Sequence, residues 1–202
     1  LGIKNIRVDT SWQRFFKKDS EILESQKFIR SNFGGVSTVY ITLEGKDGEN
    51  INFKSLDTLR YLDQIEQWVR DKNIFGQTTS IADYIKRANQ LMNENNPNQY
   101  KLPDNDADLL KILLMFKLSK FTKSLGNVIT EDFKNANIVV RESSVNRPDV
   151  TVASFKSFLR EFDVYVKDHP FDGITVEISG IDIIYLSLID YLVSSQLLSI
   201  GI

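Results

Sequence analysis

The hydrophobic period of this chain changes from that of a helix to that of a strand, and this change constrains the fold more than any other feature. Val39, Ile41 and Leu43 alternate with less apolar residues, and residues 174–179 repeat the alternation. Because successive side chains of a strand point to opposite faces of a sheet, both segments are expected to be half-buried strands. The sequence therefore predicts a sheet that is covered on one side only.

Helical segments separate the strands. At 55–72 and 152–166, apolar residues recur every three or four positions, as on the buried face of an amphipathic helix. Extended segments at 74–79 and 137–141 are two further strand candidates. Without a predicted helical insertion at 80–125, the order is strand, helix, strand, strand, helix, strand. We therefore predict a ferredoxin-like, split βαβ domain of the α+β class (βαββαβ), with an antiparallel sheet and helices on one face.

The chain is predicted to divide into three parts. They are residues 1–35, with a strand and a helix; residues 36–180, the α+β domain with its helical insertion at about 80–125; and residues 181–202, a C-terminal helix. In the first part, Ile6–Thr10 alternates like a strand, and Asp19 and Ser20 supply an N-cap for the helix that follows. With 202 residues, 42% of them hydrophobic, the chain is large enough to bury a core.

The helical insertion is predicted to contain two helices, at 80–95 and 104–124. The second helix is apolar nearly all round, because it contains the run Leu109–Phe116, in which only Lys111 is charged. Such a helix is buried on two sides or contacts something outside the domain. Core packing is one interpretation. Contact with another subdomain, a protomer or an apolar substrate is the other, and its candidate residues are Ile112, Met115, Phe116 and Phe121.

The sequence offers little catalytic chemistry. The lone histidine, His169, is in a predicted turn, and there is no cysteine, so metal ligation and nucleophilic catalysis lack their usual side chains. Neither a Gly-x-Ser-x-Gly elbow nor a phosphate-binding loop is present. We expect no enzyme activity, no cofactor and no structural metal.

Alternating acidic residues at 104–108 resemble the opening of a calcium loop. However, Leu109 stands where the turn glycine is required, and Met115 where the bidentate glutamate is required. Capping of the following helix explains these acids better. The formal net charge of −2, without a basic stripe, also argues against nucleic acid as a partner.

The two ends of the chain suggest that it belongs to something longer. It begins at Leu1 without an initiator Met, and no stretch of about 18 apolar residues could span a bilayer. Residues 181–202 are mostly apolar, apart from Asp182 and Asp190. We expect a helix that leads to a membrane span, and an ordinary buried C-terminal helix is the alternative.

Several short motifs follow one another along the chain. They are Gly2–Thr10 with its Arg-x-Asp-Thr ending, Lys18-Asp19-Ser20, Phe28-Ile29, Asn32-Phe33-Gly34-Gly35, Leu43-Glu44-Gly45, Trp68, Thr79–Lys86 with Asn89, Leu102-Pro103, Ile178-Ser179-Gly180 and Ser194–Ser199. Their order and spacing resemble the loop that follows the first membrane helix in exporters of the RND superfamily, especially the MmpL-like and hopanoid-transporter-like branch.

The resemblance implies a porter-type domain on the periplasmic side of a bacterial inner-membrane protein. The implied partners are a companion ectodomain loop and the transmembrane region of the same protein, and a hydrophobic or lipid substrate; homo-oligomerisation is a further option. The intact protein would use the proton gradient to export lipids, hydrophobic compounds or amphiphiles. An accessory or adaptor domain that binds a partner protein is the alternative function.

Overall fold

The computed structural model describes residues 16–17, 19–33, 37–46, 51–119, 125–142, 152–181, 183–184, 186–188, 191–192 and 195. In chain order, the elements in this part of the chain are α1 (Glu21–Phe33), β1 (Thr38–Gly45), α2 (Leu56–Asp71), β2 (Phe75–Thr79), α3 (Ile81–Met92), a short 3-10 helix (Pro97–Gln99), α4 (Asp106–Leu118), β3 (Asn135–Glu142), α5 (Val152–Asp168) and β4 (Ile174–Gly180).

The four strands form one antiparallel sheet in the order β2-β3-β1-β4. In the central strand β1, Ile41 pairs with Ile138 of β3 on one side and with Ile178 of β4 on the other. This arrangement confirms the predicted α+β fold with a ferredoxin-like, split βαβ order. The helical insertion lies between β2 and β3, where that order otherwise has a hairpin.

The two faces of the sheet differ as the alternation predicts. Val39, Ile41 and Leu43 of β1 are buried, because they lie on the face that the helices cover. The opposite face is polar: the Thr42 hydroxyl donates a hydrogen bond of 2.9 Å to the side-chain oxygen of Asn137. The covered face therefore supplies the core.

Helices α2 and α5 cover the apolar face. Leu59 and Leu62 of α2 have no exposed surface, and Phe158 and Phe162 of α5 are 2% and 3% exposed. The ring of Trp68 in α2 lies 5.8 Å from the ring centroids of both phenylalanines. Aromatic packing of this kind stabilises the contact between the two helices beyond the area that it buries.

The insertion has its own packing. A capping box of Ser80 and Asp83 begins α3, and buried side chains of α3 and α4 extend the main core. The Asn89 side-chain amide, which is 6% exposed, donates to the backbone oxygens of Gln99 and Lys101 at 3.2 and 3.1 Å. These two bonds fix the loop between α3 and α4.

The flanking segments are described in part. Helix α1 has Glu21 and Glu24 in its first turn, as the capping pattern predicts, whereas the predicted strand at Ile6–Thr10 lies outside the described residues. Beyond β4, the described residues between 181 and 195 are helical, and Ile181, Ile184, Leu188, Tyr191 and Leu192 are exposed. No helix among the described residues is long and apolar enough to cross a bilayer.

Candidate functional site

The four predicted contact residues differ in their exposure to solvent. Ile112 and Phe116 are 0% and 5% exposed, so both are packing residues of the core and present no contact surface. Met115 is 42% exposed, and its contact role stays a prediction. Phe121 lies outside the described residues.

Helix α4 nevertheless presents an apolar surface, on the side away from the core. Leu110, Leu114 and Leu118 recur every four residues and are 66%, 52% and 76% exposed. Together with Met115 they form what we call the α4 strip. Four large apolar side chains on one exposed helix face cost free energy in water, so such a strip is typical of a contact surface.

A buried charge cluster lies where α2, β2 and α3 meet. The side chain of Glu66 has no exposed surface, and its two carboxylate oxygens accept from Arg70 Nη2 at 2.7 Å and from Ser80 Oγ at 2.5 Å. Glu66 and Arg70 are four residues apart on α2, a spacing at which side chains on one helix face meet. Ser80 is the N-cap of α3, so the cluster joins two helices.

Arg70 connects Glu66 to a second carboxylate. Its Nη2 is 2.9 Å from both carboxylate oxygens of Asp83, and its Nε donates to the Thr78 hydroxyl at 2.6 Å. Asp83 also accepts from the Tyr100 hydroxyl at 3.4 Å. One guanidinium thus bridges α2, β2 and α3, and this satisfies most of the polar groups that the fold buries here.

Burial and, after it, the nearby charge of Asp83 raise the pKa of Glu66, whereas the Ser80 hydrogen bond and Arg70 oppose the rise, and the net result is a pKa raised from 4.5 to about 7. The carboxyl group therefore titrates near neutral pH. Ser80 has no exposed surface, so a substrate carbonyl has no access to its hydroxyl. The cluster has the geometry of a structural linkage rather than of a catalytic pair.

A groove of about 910 Å³ runs along the edge strand β2, beside this cluster. Residues of α2, β2, α3 and β3 line it, as do residues of three connecting segments. Its polar and aromatic lining includes Arg70, Asp83, Tyr84, Arg87, Tyr100 and Arg141. The volume is in the range of small-molecule sites, about 300–1,000 Å³.

His169 and the acidic segment at 104–108, which the sequence offers as candidate functional sites, make contacts within the domain. The His169 Nδ1 is 2.9 Å from the backbone oxygen of Tyr165, and the two rings stack. Asn105 caps α4 by accepting from the Asp108 amide at 3.0 Å, and Asp108 pairs with Lys111. In the described part of the chain, no three acidic or histidine side chains are grouped to hold a metal ion.

Comparison with known proteins adds no relative: no family model, no curated protein and no solved structure matches this chain. The function is therefore argued from the fold, its surfaces and the sequence motifs.

Proposed function

We propose that this chain is a porter-type domain on the periplasmic side of a proton-driven RND-superfamily exporter of lipids, hydrophobic compounds or amphiphiles. The proposal rests on the resemblance of the sequence motifs and is supported by the split βαβ sheet with its insertion. One structural observation carries it further: the α4 strip is exposed and apolar, and it belongs to an element that the sheet does not need.

In this function, the domain forms one wall of a substrate path. The sheet and the helices α2 and α5 provide a rigid body, because aromatic rings and the Lys72–Glu161 ion pair of 2.6 Å join the two helices. The α4 strip then contacts the companion ectodomain or the substrate. Proton coupling would depend on ionisable residues within the membrane helices of the intact protein.

Efflux of Nile red from cells tests this function. Cells that express the complete gene product are loaded with the dye, and the loss of fluorescence is followed with and without a protonophore. We expect efflux that requires the protein and stops when the protonophore removes the gradient. Efflux at the rate of cells without the protein, for Nile red and for lipid-like dyes alike, would contradict the proposal.

A second candidate is an adaptor domain that binds a partner protein through the uncovered face of the sheet. Tyr40 on this face is 36% exposed, and Thr175, Glu177 and Ser179 of β4 are exposed on the same side. A row of polar side chains around an aromatic residue suits a protein interface. Exchange of the α4 strip residues for polar ones distinguishes the two functions. Dye efflux should stay unchanged if the domain is an adaptor and should fall if it is a porter domain.

A further inference from the structure

One guanidinium in the β2 groove is only partly satisfied. Arg87 is exposed, and its Nη1 donates to two neutral acceptors, the side-chain oxygens of Gln90 at 2.6 Å and Asn95 at 3.0 Å. These bonds use the two hydrogens of Nη1. The three N–H groups on Nε and Nη2 have no acceptor among the described residues, and this edge of a guanidinium matches a carboxylate or phosphate in a bidentate geometry.

The charge of the groove also favours an anion. Among the arginines that line it, Arg70 is already paired with Glu66 and Asp83. Both described acceptors of Arg87 are uncharged. No described carboxylate pairs with Arg87. An incoming anion would therefore meet the charge of Arg87 without having to displace an ion pair there.

Apolar and aromatic side chains lie in the same groove. Tyr84 and Tyr100 contribute rings, and Val128 and Val139 contribute aliphatic surface. A groove of about 910 Å³ has room for more than an inorganic ion. The lining therefore combines a charged contact with an apolar one, as small-molecule sites commonly do.

We infer that the β2 groove binds an organic anion, whose carboxylate or phosphate pairs with the Nε and Nη2 edge of Arg87 and whose apolar part contacts Tyr84 and Val139. This binding is independent of the export function, because it depends only on side chains of this domain. Carboxylates and phosphate monoesters share the required chemistry, and the test below distinguishes them.

Calorimetric titration of the 202-residue chain with octanoate and with octyl phosphate tests the inference. Octylamine and acetate are the control ligands, since the first reverses the charge and the second lacks the apolar part. We expect saturable binding of at least one of the two anions, and the tighter one identifies the preferred headgroup. Octylamine and acetate should bind at least about tenfold more weakly, as expected when a charge-assisted bond or an apolar contact is lost.

Matched variants locate the site. Arg87→Gln should weaken binding about tenfold or more. Arg87→Lys should weaken it less, because lysine keeps the charge but cannot form the two parallel hydrogen bonds of a guanidinium. Arg60→Gln is the control, since Arg60 is an exposed arginine of α2 that pairs with Asp57 at 3.2 Å and does not line the groove. Arg60→Gln should leave thermal unfolding unchanged, and the two Arg87 exchanges should lower its midpoint only slightly, because they remove the bonds to Gln90 and Asn95 and leave the core intact. Absence of binding by both anions, equal binding of octylamine, or equal affinities of Arg87→Gln and Arg60→Gln would overturn the inference.

Discussion

Arg70 Nη2 lies 2.7 Å from a carboxylate oxygen of Glu66, a side chain with no exposed surface. Glu66 reaches this position because α2 turns its buried face toward β2 and α3. An ionised carboxyl group is costly to bury, and here one guanidinium and one hydroxyl replace the water that it loses.

Stability should depend on the protonation of Glu66. Its pKa is raised from 4.5 to about 7 in the folded state. Between these values the unfolded chain releases the proton first, so the contribution of Glu66 to the free energy of unfolding falls as pH rises from about 4.5 to about 7 and is constant on either side. The loss is of order 3 kcal/mol, at about 1.4 kcal/mol for each unit of pKa.

Urea unfolding of the parent chain and of Glu66→Gln, at several pH values, measures the contribution of Glu66 to the free energy of unfolding. The amide does not titrate, so the stability of the parent relative to Glu66→Gln should fall as pH rises toward about 7. Relative stability that is constant from about pH 4.5 to about pH 8 would show that Glu66 is ionised at its ordinary pKa in the folded protein.

Removal of the Arg70 guanidinium group should destabilise the fold. Arg70→Met leaves Glu66 and Asp83 without their shared partner, and loss of one member of a buried pair costs about 3–5 kcal/mol. We expect the lower end of this range, because the Arg70 side chain is 32% exposed and Glu66 can take up a proton instead. Urea unfolding provides the measurement, with Arg60→Met as the control at an exposed pair. Equal stability of the two variants would contradict a central role for Arg70.

Two adjacent residues of α4 should respond differently to the same exchange. Phe116 is 5% exposed, and Phe116→Ser should destabilise the chain by about 3–5 kcal/mol, because it leaves a cavity and buries a hydroxyl. Met115 is 42% exposed, and Met115→Ser should cost about 1 kcal/mol or less. Thermal unfolding of both variants checks the difference. Similar losses of stability in the two variants would mean that Met115 is as buried as Phe116.

The sheet was predictable because a strand period shows which residues share a face. Val39, Ile41 and Leu43 alternate cleanly, and they lie on the covered face as expected. Helix α4 was harder to interpret, since it is apolar on both sides and periodicity does not tell its core face from its exposed face. For this reason the sequence pattern offers Ile112 and Phe116 as candidate contact residues, although the structure buries them.

The charge cluster was not predicted, although two of its signals are local. Glu66 and Arg70 have the i,i+4 spacing of a helical ion pair, and Ser80 and Asp83 have the pattern of a capping box. What the sequence does not reveal is that β2 places the two pairs together. The contribution of Tyr100 also depends on how the loop after α3 folds back, which is a tertiary contact rather than a local one.

In the proposed export function, the α4 strip is the surface through which this domain contacts its companion ectodomain or the substrate. Leu114→Ser combined with Leu118→Ser makes the strip polar, and both positions are more than half exposed. The double exchange should therefore change the free energy of unfolding by about 1 kcal/mol or less. Lys117→Ser, at an exposed position on the same helix, is the matched control.

Nile red efflux by the complete gene product, with each of these changes, is the most direct test. We expect the double exchange at Leu114 and Leu118 to lower efflux to near that of cells without the protein, and Lys117→Ser to leave it unchanged. Expression level and the thermal unfolding of the isolated chain should be the same for all variants. Undiminished efflux by the folded double variant would contradict a role of the α4 strip in export.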